Sequence, residues 1–371
     1  MRLEPPIPAE ALAAIRAPFA AAGAMPLDVP VLQPLALLLD LAGEAMRPRL
    51  FVVQAEGGEE AALRPDFTIG VARAHLASGA AEGRYFYEGK AFRAAGGSGR
   101  AEEFLQLGIE VYGGADAVAA DAEILELAWR SAAAGGREDL FLMLGDVSLF
   151  SALVDDLGLE PALGARLKRA FGRPRLLAAE LNGEAPAPAG RESRLAGLLA
   201  GLPEAEAAAL LEEVWSLAGV SPVGGRPTAE IARRLAARGA EGARARLTPE
   251  QAATVRAFLA LEAEPVAALE ALERLGTERL AGRVGQWRRR LELLDEAGLP
   301  LGQARFGAGF GRAFGYYDGA LFEVRSAELG AERPLAAGGR YDGLAGRLGG
   351  VARGAAGCMV RPARAFAEGW E

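Results

Sequence analysis

The sequence predicts an α+β fold, in which an antiparallel sheet is flanked by helices and interrupted by a helical insertion. Residues 84–113 show the first supporting pattern, a long β-hairpin whose two arms are rich in aromatic and β-branched residues and are joined by a Gly/Ser-rich loop at 94–99. The second pattern is a change at about Val147, where alanine, leucine and arginine at helical spacing replace strand-like alternation until about Gly298. We therefore predict a core formed by residues 1–146 and 299–371, and a helical insertion at 147–298.

The second arm of the hairpin has one apolar face and one face with polar groups. By the two-residue period of a strand, the apolar face carries Leu105, Leu107, Ile109 and Val111, and the other face carries Phe104, Gln106, Gly108 and Glu110. In the first arm, Arg93 shares the parity of Tyr85 and Tyr87. Arginine, glutamine and glutamate in one row suit an amino acid, because arginine can bind its carboxylate and glutamate its ammonium. The alternative is an ordinary hairpin whose polar face is exposed to solvent.

The remaining core elements follow from periodicity and from proline positions. Residues 8–23 are predicted to be a helix that Pro18 bends or shortens. Pro65 excludes a continuous helix through the segment that begins at Leu63, so the next helix is expected to begin near Asp66 and to run to Ala77. Further predicted elements are a helix at 35–45, a strand at 49–54, a helix at 113–133, a strand at 139–144 and two or three short strands in 304–326.

One helix start inside the insertion has a specific signature. Thr248, Pro249, Glu250 and Gln251 combine a threonine N-cap, a proline at the first helical position and a glutamine that can complete a capping box. The segment from Asn182 onward, NGEAPAPAGRES, is predicted to be a loop.

Composition restricts the classes of function. The net charge of −8 and the pI of about 5.2 disfavour nucleic acid as a partner. Cys358 is the single cysteine and His75 the single histidine, so the sequence predicts no internal disulfide, no Cys/His metal cluster and an ordinary helical role for His75. No run of 18 apolar residues and no signal peptide is present, so we expect a cytoplasmic protein without a membrane partner.

Four separated segments, taken together, resemble one known family. These segments are LRPDFT at 63–68, the hairpin, GRAFGYYDGALFEV at 311–324, and GGRYDGL at 338–344 with the closing GCMVRPAR. In this order, they resemble the catalytic core of histidyl-tRNA synthetase, a class II aminoacyl-tRNA synthetase. The hairpin looks like motif 2 of that class, and GGRYDGL and GCMVRPAR look like the approach to motif 3 and motif 3 itself. The resemblance covers about residues 1–145 and 300–371, and it implies a class II synthetase-like sheet that forms a homodimer through its core.

The resemblance also implies a histidine-binding pocket. Asp66 stands where the family has a glutamate that holds the ammonium, with Thr68 supporting it, and Arg93 stands where motif 2 supplies an arginine. The full set that the resemblance implies is Asp66, Thr68, Arg93, Gln106, Glu110, Arg312, Tyr317 and Tyr341. The chemistry is consistent, since carboxylates suit an ammonium, arginines suit a carboxylate and tyrosines can bond an imidazole.

The residues that activate the amino acid in the family are changed in this sequence. The acid expected two residues after Arg93 is Ala95, and Glu102 stands in place of a second basic residue. In motif 3, Arg361 replaces a glycine and Ala363 an acid, although Arg364 remains. Gly315 replaces an aspartate of the histidine-specific segment. Because adenylate formation needs positive charge and metal ligands around a triphosphate, these changes oppose ATP binding. The sequence ends seven residues after Arg364, so no anticodon-binding domain is expected.

A sequence that keeps the amino-acid pocket but has lost the ATP site resembles the synthetase-like regulatory subunits of ATP phosphoribosyltransferase. This resemblance implies a non-catalytic subunit, without cofactor or metal, that binds L-histidine. It further implies a hetero-octamer with the short-form catalytic subunit, which needs the regulatory subunit for its activity and for inhibition by histidine. Two alternatives stay open at this point: a histidine-activating synthetase-like enzyme, and a free-standing amino-acid sensor. ATP–pyrophosphate exchange would separate the enzyme from the other two, and co-purification with a short catalytic subunit would separate the last two.

Overall fold

The computed structural model describes residues 4–54, 58–96, 99–183, 195, 198–199, 201–217, 228–239, 245–275, 278–311 and 315–368. The helices are α1 Ala9–Ala21, α2 Leu35–Ala42, α3 Thr68–Ser78, α4 Ala117–Ala133, α5 Val147–Asp156, α6 Pro161–Ala170, α7 Pro174–Leu181, α8 Glu204–Leu217, α9 Thr228–Gly239, α10 Pro249–Leu259, α11 Pro265–Glu273, α12 Glu278–Glu296, α13 Leu344–Arg347 and α14 Pro362–Ala365. Two 3₁₀ helices span Glu44–Arg49 and Leu301–Gln303.

Twelve strands form two sheets in these described residues. The strands are β1 Met25–Pro26, β2 Leu32–Pro34, β3 Val52–Gln54, β4 Glu60–Leu63, β5 Gly83–Phe92, β6 Glu103–Tyr112, β7 Leu140–Asp146, β8 Glu262–Ala263, β9 Ala304–Gly307, β10 Ala320–Ser326, β11 Ala336–Arg340 and β12 Ala355–Val360. The large sheet has the order β1-β5-β6-β12-β11-β10-β7-β9-β8, and a small sheet has the order β2-β4-β3. Apart from the parallel pairs β1–β5 and β7–β9, the large sheet is antiparallel. The predicted α+β class with an antiparallel sheet is confirmed.

The hairpin lies inside the large sheet as predicted. Strands β5 and β6 pair over ten residues each, with Tyr85 opposite Glu110 and Gly89 opposite Gln106. The face with the polar residues is not exposed to solvent, because Gln106 and Glu110 are both 1% exposed. The alternative of a solvent-facing polar hairpin was therefore wrong.

Several boundaries differ from the sequence predictions by a few residues. Helix α3 begins at Thr68 and not at Asp66, and β3 begins at Val52 because a 3₁₀ turn occupies Glu44–Arg49. Pro18 lies within α1, which buries Ile15 and Phe19 completely. The sheet has seven longer strands, and two strands of two residues, β1 and β8, extend it at its edges.

A buried ionic cluster fastens α4 and α12 to the sheet. The Asp121 carboxylate in α4 accepts hydrogen bonds at 2.8 Å from Arg290 of α12 and at 2.8 Å from Arg340 of β11. All three side chains are less than 10% exposed, so loss of one partner would leave a buried charge uncompensated. This cluster fixes the end of β11 that leads into Tyr341.

Contacts divide the chain into two units. The larger comprises Met1–Leu157, Phe171–Arg173 and Val255–Glu371, and the smaller comprises Gly158–Ala170 and Pro174–Thr254. The smaller unit is helical in its described residues, with Leu199, Ala207, Leu211 and Ala232 at its centre. Helices α5, α11 and α12 belong to the larger unit, so the sequence boundaries at 146/147 and 298/299 stay a prediction about domains.

The predicted start of α10 is confirmed in detail. The Thr248 amide donates to Oε1 of Gln251 at 3.0 Å, and the Gln251 amide donates to Oγ1 of Thr248 at 3.2 Å, which is the reciprocal pair of a capping box. The predicted loop from Asn182 falls mostly outside the described residues. Among the described helices, none combines the length and apolar character needed to span a membrane.

Candidate functional site

A small cavity lies beside strands β6 and β12, and residues at the start of α3 also line it. Five of the eight residues predicted for the histidine pocket line it: Asp66, Thr68, Arg93, Gln106 and Tyr317. The other lining residues are Tyr316, Ala337, Gly357, Cys358 and Met359. Residues far apart in the sequence meet here, because β12 pairs directly with β6 and the cavity is also lined by Asp66 and Thr68 at the start of α3.

Glu110 and Tyr341 lie directly behind this lining. Oγ1 of Thr68 donates to Oε1 of Glu110 at 2.7 Å, and the Tyr341 hydroxyl donates to Oε2 of Glu110. Burial raises the pKa of Glu110 to about 8, and the nearby Asp66 charge adds to this rise, while the hydrogen bonds from Tyr341 and Thr68 oppose it. Glu110 is thus protonated at neutral pH until a positive charge comes close.

Gln106 presents an amide to the cavity from a fixed position. Its Nε2 donates to the Tyr87 hydroxyl at 3.4 Å, and that hydroxyl donates to the carbonyl oxygen of Cys358 at 3.4 Å. The ring of Tyr87 stacks on Phe67 at 4.5 Å between centroids. Within the described part of the chain, Oε1 of the buried Gln106 accepts no hydrogen bond, so it is available to a ligand donor.

Arg93 is held at the mouth of the cavity. Its Nε donates to the carbonyl oxygen of Pro65 at 2.8 Å, and its guanidinium lies 5.4 Å from the ring centre of Phe104. This bond uses one edge of the guanidinium and orients the rest of the group. An arginine positioned in this way suits a ligand carboxylate.

The aromatic wall of the cavity comes from the segment before β10. Tyr316 and Tyr317 lie 4.6 Å apart between ring centroids, and both approach Tyr341. The enclosed space is about 10 Å³, which is room for about one water molecule. An amino acid can therefore enter only if lining side chains move apart.

Arg312 of the predicted set lies outside the described residues. Three residues of the site were missed by sequence reasoning: Tyr316, Tyr87 and Gly357. Tyr87 shares the parity of Gln106 and Glu110 across the hairpin, so its place was available from strand period alone. Gly357 had no such signal, because its importance depends on pairing with Glu110 across β12 and β6.

His75 lies in α3 and is buried, consistent with a structural role. Its Nδ1 is hydrogen-bonded to the Tyr85 hydroxyl at 3.0 Å, and its ring stacks on Tyr112 at 4.3 Å. Burial lowers the pKa of His75, and Arg353 lowers it further, so the ring is neutral at pH 7. Within the described residues, no group of three or more His, Cys, Asp or Glu side chains is arranged to hold a metal ion.

The face of Phe104 is occupied by groups of the chain itself. The Arg361 guanidinium lies 3.6 Å from the Phe104 ring centre and forms an ion pair with Glu4. The same Glu4 carboxylate accepts a hydrogen bond from the Leu105 amide at 2.8 Å. Since both charged side chains are only 4% exposed, this face of the Phe104 ring and the Leu105 amide are already occupied by groups of the chain itself.

Glu102 does not have the position that the sequence suggested. We expected its charge to oppose a triphosphate, but its carboxylate accepts a hydrogen bond from the Ala95 amide at 3.2 Å. It does not line the large cavity beside Phe104. Arg361 and Glu4, and not Glu102, are the charged groups that occupy the space next to the ring.

Comparison with known proteins agrees with the sequence resemblance. The family model described as "Histidyl-tRNA synthetase" matches residues 9–218 and 208–364. A protein of Agrobacterium fabrum named "ATP phosphoribosyltransferase regulatory subunit" is 39% identical over 340 residues, which cover 89% of each chain. A protein of the same name from Mesorhizobium japonicum is 38% identical over 341 residues, again 89% of each.

Solved structures show the same fold at lower identity. A structure titled as an ATP phosphoribosyltransferase regulatory subunit/histidyl-tRNA synthetase from Bacillus halodurans matches with a TM-score of 0.66 and 22% identity, covering 99% of this chain and 81% of that chain. Histidyl-tRNA synthetase from a Nostoc species matches with a TM-score of 0.60 and 16% identity, covering 95% and 69%. These likenesses confirm the predicted class II synthetase-like fold. The sequence similarity shows that this chain belongs to the family of ATP phosphoribosyltransferase regulatory subunits.

Proposed function

We propose that this chain binds free L-histidine in the cavity at β6 and β12 and passes its occupancy to a short-form ATP phosphoribosyltransferase catalytic subunit. The family is one of non-catalytic regulatory subunits in histidine biosynthesis. The observation that carries the histidine proposal is a single cavity lined by Asp66, Thr68, Gln106 and Arg93, beside a Phe104 ring covered by Arg361.

Each part of a histidine zwitterion has a suitable partner in the proposed complex. The ammonium is near Asp66 and Glu110, and the carboxylate is near Arg93. Tyr317 and Tyr341 offer hydroxyl groups to the imidazole. Because the cavity is only about 10 Å³, histidine binding requires lining side chains to move apart, and Tyr316 and Tyr317 are among those side chains. That movement supplies a physical route from ligand to a partner.

The proposed assembly follows the family resemblance. This chain forms a homodimer through the class II core. Four copies of it assemble with four catalytic chains into a hetero-octamer. The alternative of a histidine-activating enzyme is disfavoured by the ion pair of Glu4 and Arg361, which covers Phe104. If no catalytic subunit binds, the alternative of a free-standing amino-acid sensor is favoured.

Reconstitution tests this function. The purified chain is expected to raise phosphoribosyl-ATP formation by a short catalytic subunit and to make it sensitive to L-histidine, while showing no turnover alone. Allosteric coupling is typically about 1–3 kcal/mol, or about 5- to 150-fold in affinity, and it is reciprocal for binding. The catalytic substrates should therefore change histidine affinity by the same factor.

Controls separate the parts of this function. L-histidinol, which lacks the carboxylate, should inhibit at least tenfold less strongly because it gives Arg93 no anion. Asp66→Asn should move inhibition to histidine concentrations at least tenfold higher, since the ammonium loses a charged partner. A complex that forms and turns over but ignores histidine would contradict the regulatory role, and the absence of any complex would favour the free-standing sensor.

Histidine binding is expected to release a proton from Glu110. Its pKa is about 8 in the free protein, and an ammonium beside it favours the carboxylate, so the pKa falls on binding. Affinity should therefore rise with pH, by about fivefold from pH 7 to pH 8 and by no more than about twofold beyond pH 8. Over this range the ligand imidazole, with a pKa of about 6.5, is mostly neutral.

Isothermal titration calorimetry in two buffers of different ionisation enthalpy measures this proton release. Glu110→Gln is the matched control, because it keeps the shape of the side chain but cannot titrate, and its affinity should change less than twofold between pH 7 and pH 8. Equal wild-type affinity at both pH values would mean that the ammonium does not reach Glu110.

A further inference from the structure

A second and much larger cavity lies on the other side of Arg93. Its volume is about 630 Å³, and Arg93 and Met359 line both cavities. Six arginines line this larger space: Arg49, Arg93, Arg100, Arg325, Arg361 and Arg364. Among the residues that the structure describes, the acidic residues that line it are Glu323 and Glu332. We call it the arginine cavity.

The acidic residues do not cancel this positive charge. Arg325 pairs with Glu323 at 2.7 Å, and Arg100 pairs with Glu332 at 3.2 Å. Glu332 is 85% exposed, so water screens that pair. Within the described part of the chain, and counting Glu4 behind Arg361, this cavity brings together six arginines and three carboxylates. Burial lowers the pKa of Arg49 and the like charge of Arg100 lowers it further, while the exposed Glu332 carboxylate opposes this; a stronger anion beside Arg49 and Arg100 could take the place of Glu332.

The same cavity lacks what a nucleobase requires. The Phe104 ring is covered by Arg361 at 3.6 Å, and the Leu105 amide already donates to Glu4 at 2.8 Å. A base would have to break a buried ion pair to reach either group, and breaking such a pair is costly. The cavity therefore selects for negative charge without an attached base.

We propose that the arginine cavity binds a compact polyanion with two adjacent phosphate groups, and that it does so without a nucleoside. Arginine suits this chemistry because its planar fork gives two parallel hydrogen bonds to phosphate oxygens. Arg49 and Arg100 approach the cavity from separate segments, the 3₁₀ turn before β3 and the loop before β6, so two neighbouring phosphates can each meet one. Arg49 and Arg100 do not line the smaller cavity, so their variants test this proposal separately from histidine binding, although Arg93 borders both cavities.

Calorimetry with inorganic pyrophosphate tests this site on the full chain at fixed ionic strength near 0.15 M, without divalent metal. Pyrophosphate should bind at least tenfold more tightly than inorganic phosphate. ADP should bind no more tightly than pyrophosphate, because its adenosine gains no contact. Arg49→Gln and Arg100→Gln should each weaken pyrophosphate by at least tenfold, whereas Arg130→Gln, on an exposed face of α4, should change it less than twofold.

Protection from phenylglyoxal gives a second measurement that needs no variant. Pyrophosphate should slow the modification of Arg49 and Arg100 in the wild-type chain, as read by mass spectrometry, and should leave Arg130 unprotected. The proposal is overturned if pyrophosphate does not bind, if it protects the three arginines equally, or if Arg130→Gln weakens it as much as Arg49→Gln. ADP binding at least tenfold tighter than pyrophosphate would instead indicate a nucleotide site and would also overturn it.

Discussion

The variant Glu110→Ala is expected to bind L-histidine about 100-fold or more weakly than the wild-type chain at pH 8. In our proposal, the Glu110 charge helps to neutralise the ligand ammonium, and its two oxygens hold Thr68 and Tyr341 in place. Removing one member of a buried charged pair typically costs about 3–5 kcal/mol, and 100-fold in affinity corresponds to about 2.7 kcal/mol. Calorimetry at pH 8 measures the change directly.

Glu103→Ala is the matched control for this experiment. It makes the same substitution on the same strand, but the Glu103 side chain points to the face of β6 opposite to that of Glu110. Glu103 is 27% exposed and pairs with Lys90 at 3.6 Å. It should change histidine affinity less than twofold. Unchanged affinity in Glu110→Ala, with the control also unchanged, would mean that the ligand binds elsewhere.

The row of polar residues on the hairpin could be predicted because a strand has a fixed period. Once 84–113 is taken as a hairpin, Gln106 and Glu110 must share a face, and the structure places both on the buried face opposite Tyr85 and Gly89. The start of α10 was also predictable, since a capping box depends on four neighbouring residues. These features are local, so the sequence is enough to specify them.

The side chains that contact this polar row of the hairpin could not be predicted from any local sequence pattern. Tyr341 reaches Glu110 across 231 positions of sequence, and Glu4 reaches Arg361 across 357. Such contacts depend on the order of the strands, in which β12 lies between β6 and β11. Motif resemblance supplied Tyr341, but it gave no reason to expect Glu4 at the Phe104 ring. Sequence reasoning named both Glu102 and Arg361 as charges that oppose ATP; Arg361 does cover the Phe104 ring, whereas the Glu102 carboxylate accepts a hydrogen bond from the Ala95 amide.

The small volume of the proposed histidine cavity is a second feature that the sequence did not reveal. Five of the eight predicted residues line this cavity, yet its volume is only about 10 Å³. Volume depends on rotamers and on how Tyr316 and Tyr317 pack against Tyr341, and neither follows from residue type. Residue types therefore predicted candidate groups for binding an amino acid, but not the side-chain movement that the proposed binding requires.

Gly357→Ala is expected to abolish measurable histidine binding, with a loss of at least 100-fold. Gly357 lies opposite Glu110 in the β12–β6 pair, and a Cβ there would stand 1.6 Å from Oε2 of Glu110 and 2.8 Å from the Ile109 carbonyl oxygen. The Glu110 carboxylate would have to leave Thr68 and Tyr341, so the loss should be at least that of Glu110→Ala. Gly285→Ala is the matched control, because a Cβ there meets nothing within 4 Å.

A double variant decides whether the loss comes from this one clash or from general damage to the sheet. Glu110→Ala shortens the side chain that the new Cβ would strike, so it should restore part of the thermal stability that Gly357→Ala removes. Histidine binding should stay absent in the double variant, because the charge is gone. If Gly357→Ala bound histidine within tenfold of wild type, the Glu110 carboxylate could not be where the proposed site needs it. If Glu110→Ala instead destabilised the Gly357→Ala chain further, the clash with Ile109 would dominate, and Gly357 would act on the sheet and not on the pocket.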